Sequence, residues 1–186
     1  MARRARACTH CIDSLPLGAN PVFQVHADAR ILLASQAPGR VAHESGVPFS
    51  DRSGRRLREW TGLDGATFYD PRRVAIVPMG FCFPGSGPGG DLPPRPECAP
   101  LWRDRFLDQL GRVRLTLVIG SHAQRWHLGG TGRVVHAATR WLEEGGNVVP
   151  LPHPSPRNNG WLKRNPWFER DLVPRLQARI ASVLAC

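Results

Sequence analysis

Four short apolar runs constrain the fold of this chain more than any other feature. They lie at 31–34, 74–77, 115–119 and 148–151, and each ends in small or turn-forming residues. Runs this short read as buried strands. The segments between them carry helical spacing. Ser53 stands as a plausible N-cap for a helix over 53–60, with Leu57 and Trp60 on one face. Further helices are expected at 101–110, at 121–128 with Ser121 as its cap, at 134–144 and at 167–184. In the last of these Leu172, Leu176, Ile180 and Leu184 stand four apart. Strands alternating with helices predict an α/β fold: three layers, α/β/α, around a central four-stranded, mostly parallel sheet. The segment 85–96, rich in Gly and Pro, is expected to be an irregular loop.

Length and composition permit one domain over 1–186, since 186 residues with 41% hydrophobic content can bury one sizeable core. No apolar run approaches the roughly 20 residues that span a bilayer. The basic start, Met1 to Cys8, is not followed by an apolar segment of the secretory kind. The expectation is a monomer with no membrane partner, cytoplasmic and associated with the nucleoid. The formal charge is +10 and Lys163 is the only lysine. An arginine-borne charge of this size suits a polyanion, because the guanidinium fork pairs bidentately with phosphate. A codon bias toward arginine would give the same composition.

Two strand ends carry chemistry. The fourth run passes into Pro152-His153-Pro154-Ser155-Pro156-Arg157-Asn158. Three prolines stiffen this loop and hold an imidazole, a hydroxyl and a guanidinium at a strand's C-terminal edge. Open α/β sheets bind their ligands at that edge. The first run opens into Ser35-Gln36-Ala37-Pro38-Gly39, followed by His43 and by Gly46-Val47-Pro48-Phe49. Gln36 offers an amide, His43 an imidazole and Phe49 a flat apolar face. Each also has an ordinary use, in loop backbone satisfaction, solvation or core packing.

The cysteines form two clusters. Cys8 and Cys11 make a C-x2-C pair, and Cys82 and Cys98 flank the Pro/Gly-rich loop. Without a secretory signal, this layout suggests a metal rather than disulfides. Thiolates bind zinc or an iron–sulfur cluster. The wide second spacing does not fit a zinc ribbon. Cys186 is left without a role.

These motifs, in this order, resemble the uracil-DNA glycosylase superfamily, most closely its iron–sulfur branch, family 4. The resemblance rests on Gln36-Ala37-Pro38-Gly39, Gly46-Val47-Pro48-Phe49, the four cysteines and His153-Pro154-Ser155-Pro156. The extension Arg157-Asn158 is similar to the closing motif of the single-strand-selective monofunctional branch. The resemblance implies a structural [4Fe–4S] cluster on Cys8, Cys11, Cys82 and Cys98, with zinc as the alternative. It implies that Phe49 stacks on an extruded base, that His153 bonds the uracil O2 and stabilises the departing anion, and that Ser155 contacts phosphate. Arg157 stands where related enzymes carry a duplex wedge. Ala37, Pro38 and Gly39 belong to the base pocket, and Asn158 and Ser53 to the DNA-contacting set.

The sequence departs from that branch twice. Gln36 replaces a glutamate, and Ala42 and His43 fall where further acids are usual, so His43 and Gln36 become the candidates for handling water. The asparagine that reads the base edge has no counterpart in Ile76-Val77-Pro78-Met79-Gly80. Base readout is then expected from backbone groups at Met79 and Gly80. The implied function is monofunctional hydrolysis of the N-glycosidic bond of uracil, or a related deaminated base, in damaged DNA. A non-catalytic reader of abasic or damaged DNA is the alternative, and a redox-sensing metal protein the third.

Overall fold

The computed structural model describes residues 1–129 and 134–185, so Cys186 lies outside the described residues. The chain opens with helix α1 (Ala2–Arg6) and a 3-10 turn, Ile12–Ser14. Strand β1 (Ile31–Ala34) is followed by α2 (Arg40–Ser45), α3 (Arg52–Thr61) and α4 (Gly65–Phe68). Next come β2 (Val74–Ile76), the short strands β3 (Ser86–Gly87) and β4 (Gly90–Asp91), and α5 (Cys98–Leu107). Then β5 (Leu115–Ile119), α6 (Gly120–Leu128), α7 (Val134–Glu144) and β6 (Val148–Leu151) follow. A second 3-10 turn (Pro156–Asn158), α8 (Asn159–Arg164), a π-helical turn (Phe168–Leu172) and α9 (Val173–Ala185) complete the order.

The four expected strands form one all-parallel sheet in the order β2-β1-β5-β6. Alternation within each strand divides its side chains between two helical layers. Ile31, Leu33, Val74, Ile76, Leu115, Leu117, Val149 and Leu151 pack with Leu57 and Trp60 of α3 and Leu176 and Ile180 of α9. On the opposite face Leu32, Ala75 and Val77 pack with Phe23, Phe81, Trp102 and Phe106. This is the three-layer α/β/α arrangement. Pro150 is accommodated because β6 is an edge strand, where a missing N–H costs no ladder bond. No helix among the described residues is long and apolar enough to cross a membrane.

Several local expectations are corrected. Asp51, not Ser53, caps α3: its Oδ1 accepts from the Gly54 N–H at 3.0 Å, and Ser53 is buried in the first turn. α6 starts at Gly120, with no side-chain cap from Ser121. α5 starts at Cys98, three residues before Leu101, with Pro100 tolerated in its first turn. The 167–184 segment is not one regular helix. Pro174 lacks an N–H and its ring would crowd the carbonyl four residues back, and the widened π turn lies just before it. The buried stripe accordingly ends on Val183 rather than Leu184. Finally, the 85–96 segment is not wholly irregular. It contains an antiparallel hairpin that pairs Ser86 with Asp91 and Gly87 with Gly90.

Candidate functional site

The winding changes direction at β1, which has β2 on one side and β5 on the other. Side chains beyond the carboxyl ends of strands at such a switch point face an open crevice. Here the crevice is a cleft of about 890 Å³. Ser35, Gln36, Ala37, Pro38 and Gly39 line it from the end of β1, and Pro78 from beyond β2. His153, Ser155, Arg157 and Asn158 line it from the loop after β6. Phe49, Asp51, Ser53, Arg55 and Arg58 enter from the α2–α3 side, and Gly90 and Asp91 from the hairpin.

The loop after β6 is tied on every side. Asn158 Nδ2 donates to the His153 carbonyl at 2.6 Å, and the Arg157 N–H donates to Ser155 Oγ at 3.3 Å. Arg56 of α3 donates to the carbonyls of Pro154 and Ser155, each at 3.4 Å. The Ser155 N–H donates to His153 Nδ1 at 3.2 Å. That bond decides the tautomer: Nδ1 accepts, so a neutral imidazole carries its proton on Nε2. Burial disfavours the imidazolium and holds the His153 pKa below the ordinary histidine value, against the opposing charges of Asp51 and Asp91. The cleft therefore has a neutral Nε2–H donor at its β6 end.

Phe49 is the only described non-glycine residue with positive φ, at 55°. The strain is held by its surroundings. Its carbonyl accepts from the Tyr69 hydroxyl at 2.9 Å and from Arg58 Nη1 at 3.4 Å. Its ring meets Phe68 edge-on at 6.3 Å between centroids. Backbone outliers kept in place by several partners cluster at ligand-binding sites.

Not all the expected residues meet here. His43 is buried on α2, and its ring lies 6.2 Å from that of Phe83. Val41 and Ala42, not His43, form the α2 wall of the cleft. Met79 and Gly80 do not line the cleft either. Their N–H groups donate to the carbonyls of Ser35 and Gln36 at 2.8 and 2.9 Å, so neither N–H is left to read a base. Gly80 instead sits under Pro94 and lines a second cavity. The Arg157 guanidinium lies on the hairpin: a β-carbon on Gly90 would stand 1.8 Å from its Nη1. As a duplex wedge it would first have to leave that surface. Gln36 is at the site, with Nε2 donating to the Leu92 carbonyl at 3.1 Å and its amide oxygen left over.

Two cleft carboxylates had no place in the sequence-based set, Asp51 and Asp91. Asp51 is hidden in a capping position, and Asp91 in a Gly/Pro-rich loop whose pairing is not visible locally. A third contributor is the buried Arg103, which donates to the carbonyls of Val77 and Pro78 at 2.9 and 3.3 Å and contacts His127 Nε2. Burial lowers Arg103 to about 10, and burial followed by the Arg103 charge lowers His127 to about 4. A neutral His127 thus accepts from a cation that holds the Pro78 end of the cleft floor.

The family model for the Uracil DNA glycosylase superfamily matches residues 22–177. The chain belongs to the uracil DNA glycosylase superfamily. The match takes in the whole sheet and every cleft-lining residue named above. Hydrolysis of N-glycosyl bonds in DNA is the general chemistry of this superfamily, and His153 and Phe49 both line the cleft at the sheet edge.

The four clustered cysteines lie away from the cleft. Cys8, Cys11, Cys82 and Cys98 line one small cavity, walled by Leu15, Pro21, Phe81 and Trp102. The Phe81 N–H donates to Cys98 Sγ at 3.3 Å. Burial pushes the Cys82 thiol up to about 11 and the Cys98 thiol up to about 12. Thiolates in such surroundings need a cationic partner. Among the described residues no three His, Cys, Asp or Glu side chains converge on a single-ion position. Four thiols around a shared cavity are a donor set that either zinc or an iron–sulfur cluster could take.

Proposed function

We propose that this glycosylase removes uracil, or a related deaminated base, from DNA by monofunctional hydrolysis, leaving an abasic site. The observation that carries this reading is the neutral His153, whose Nδ1 is occupied by the Ser155 N–H and whose Nε2–H serves the cleft. Breaking the N-glycosidic bond builds negative charge on the base and positive charge on the sugar. A fixed donor at the base oxygen acts where that charge develops. The base must leave the stack to reach it, at a cost of a few kcal/mol. Stacking on Phe49 would return roughly 1–3 kcal/mol. Ser155 Oγ accepts from Arg157 but keeps its own proton for a phosphate oxygen. Arg52 and Arg55, exposed beside the cleft, supply positive charge for the backbone.

The decisive measurement is a panel of oligonucleotides bearing uracil, hypoxanthine, xanthine or mismatched thymine, single- and double-stranded. Alkali treatment after incubation should yield strand product from uracil or another deaminated base. No product from any of them at enzyme excess would defeat the reading, and tight binding of an abasic analogue without turnover would favour a non-catalytic reader.

We infer that the cysteine cavity belongs to the iron–sulfur branch, with Cys8, Cys11, Cys82 and Cys98 holding a [4Fe–4S] cluster. Its part would be structural. It would tie the N-terminal segment to the Phe81–Cys98 region, from which the hairpin extends. The purified protein is expected to be brown and to absorb near ~400 nm, as thiolate-bound clusters do. A colourless protein with one equivalent of zinc would overturn this assignment.

A further inference from the structure

The first motif of this glycosylase carries no acid, and Gln36 cannot take a proton from water. Two carboxylates nevertheless line the cleft. Asp51 has a structural task at the start of α3, where its Oδ1 accepts the Gly54 N–H as the helix cap. Asp91 is placed differently. It stands at the end of β4, where Ser86 Oγ donates to its Oδ1 at 2.9 Å. Its Oδ2 lies at the Gly39 backbone, 3.3 Å from the point where a β-carbon on Gly39 would stand.

The hairpin that carries Asp91 is anchored from three directions. The Leu92 N–H donates to the Gly85 carbonyl at 2.8 Å. Gln36 Nε2 holds the Leu92 carbonyl, one residue from Asp91. Arg157 packs on Gly90, where any side chain would collide with it. Asp91 is thus held beside Gln36 and the first motif, close enough to His153 for its charge to act on the imidazole. A carboxylate supplied by a distant hairpin occupies the side of the cleft that the first motif leaves without one.

We propose that Asp91 is the water-activating and cation-stabilising carboxylate of this enzyme, an assignment that rests on the glycosylase reading. The N-glycosidic bond breaks with its electron pair passing to the base, where His153 Nε2–H receives the developing anion. A water held by Asp91 and the Gln36 amide oxygen forms the new bond to the sugar C1′. Its proton goes to Asp91 and returns to solvent, and the departing base anion is protonated by water. No oxidant or further reactant is needed.

The test compares wild type with Asp91→Asn, Asp91→Ala and Asp51→Asn. Thermal melting checks the fold, which the exposed Asp91 side chain should not affect. Two readouts are used. The first is single-turnover excision on saturating substrate. Here both Asp91 variants should lose on the order of 100-fold, as for loss of a general base, with substrate affinity retained. The second needs no excision: the ratio of affinities for DNA bearing a cationic pyrrolidine abasic analogue and a neutral tetrahydrofuran one. Wild type should prefer the cation, and both Asp91 variants should lose most of that preference. Unchanged excision and unchanged preference in the Asp91 variants would overturn the proposal, as would losses confined to Asp51→Asn. If wild type excises no base at all, the glycosylase reading fails, and the cation preference alone then decides the role of Asp91.

Discussion

Replacing His153 by alanine is expected to slow base excision about 100-fold in single-turnover assays, while DNA binding changes far less. The donor acts on charge that exists only as the bond breaks, so its removal touches the rate and not the ground-state complex. A rate within a few-fold of wild type would remove His153 from the chemistry. Its protonation adds a second expectation. Burial, only partly offset by Asp51 and Asp91, places the folded-state pKa below the ordinary 6.5. Between those two values the unfolded chain binds the additional proton. Stability from this group is complete above the ordinary value and is lost as pH falls through the folded one. His127, lowered to about 4, acts in the same direction. Melting temperature should therefore fall as pH is lowered from about 7 towards 5, and less steeply in His153→Gln. Equal slopes would speak against a neutral His153 at the β6 end of the cleft.

Gly54→Ala is expected to be nearly as damaging to activity, although Gly54 takes no part in the reaction. A β-carbon there would stand 1.7 Å from the Phe49 carbonyl oxygen and 2.5 Å from its carbon. Both are backbone atoms, held in place by Tyr69 and Arg58, and cannot swing aside as a side-chain tip would. The first turn of α3 and the Phe49 loop must separate. Overpacking of this kind costs roughly 1–3 kcal/mol. A displacement of about 1 Å in the stacking face can cost on the order of 100-fold in rate. Gly65→Ala is the control, since nothing lies within 4 Å of its would-be β-carbon. Thermal melting and excision rates should set the two variants apart. Wild-type behaviour in Gly54→Ala would mean that the loop does not rest on α3.

The parallel sheet was legible because buried strands in this fold are continuous apolar runs, and their period survives without knowledge of neighbours. The loop after β6 was legible for a different reason: its prolines restrict the backbone locally. Capping and helix ends were read less well. Asp51 displaced Ser53 as the α3 cap, and Pro174 follows a π turn where regular spacing suggested an unbroken helix. In both cases one local hydrogen bond or clash outweighed the periodic pattern.

The candidate site divides along the same line. Gln36, Phe49, His153 and Ser155 follow their strands or helices directly, so chain order alone carries them to one sheet edge. His43, Met79 and Gly80 sit on equally suggestive segments. The helix α2 presents Val41 and Ala42 to the cleft instead of His43, and the Ser35 and Gln36 carbonyls consume the two N–H groups.

The sequence by itself determined the sheet, the edge that carries the cleft and the stiff histidine loop, because each is encoded in contiguous residues. Only the tertiary structure decided the tautomer of His153, the resting place of Arg157 and the arrival of Asp91 in the cleft. Those depend on contacts between segments distant in the chain, where position follows from packing and hydrogen-bond geometry and leaves no local pattern to read.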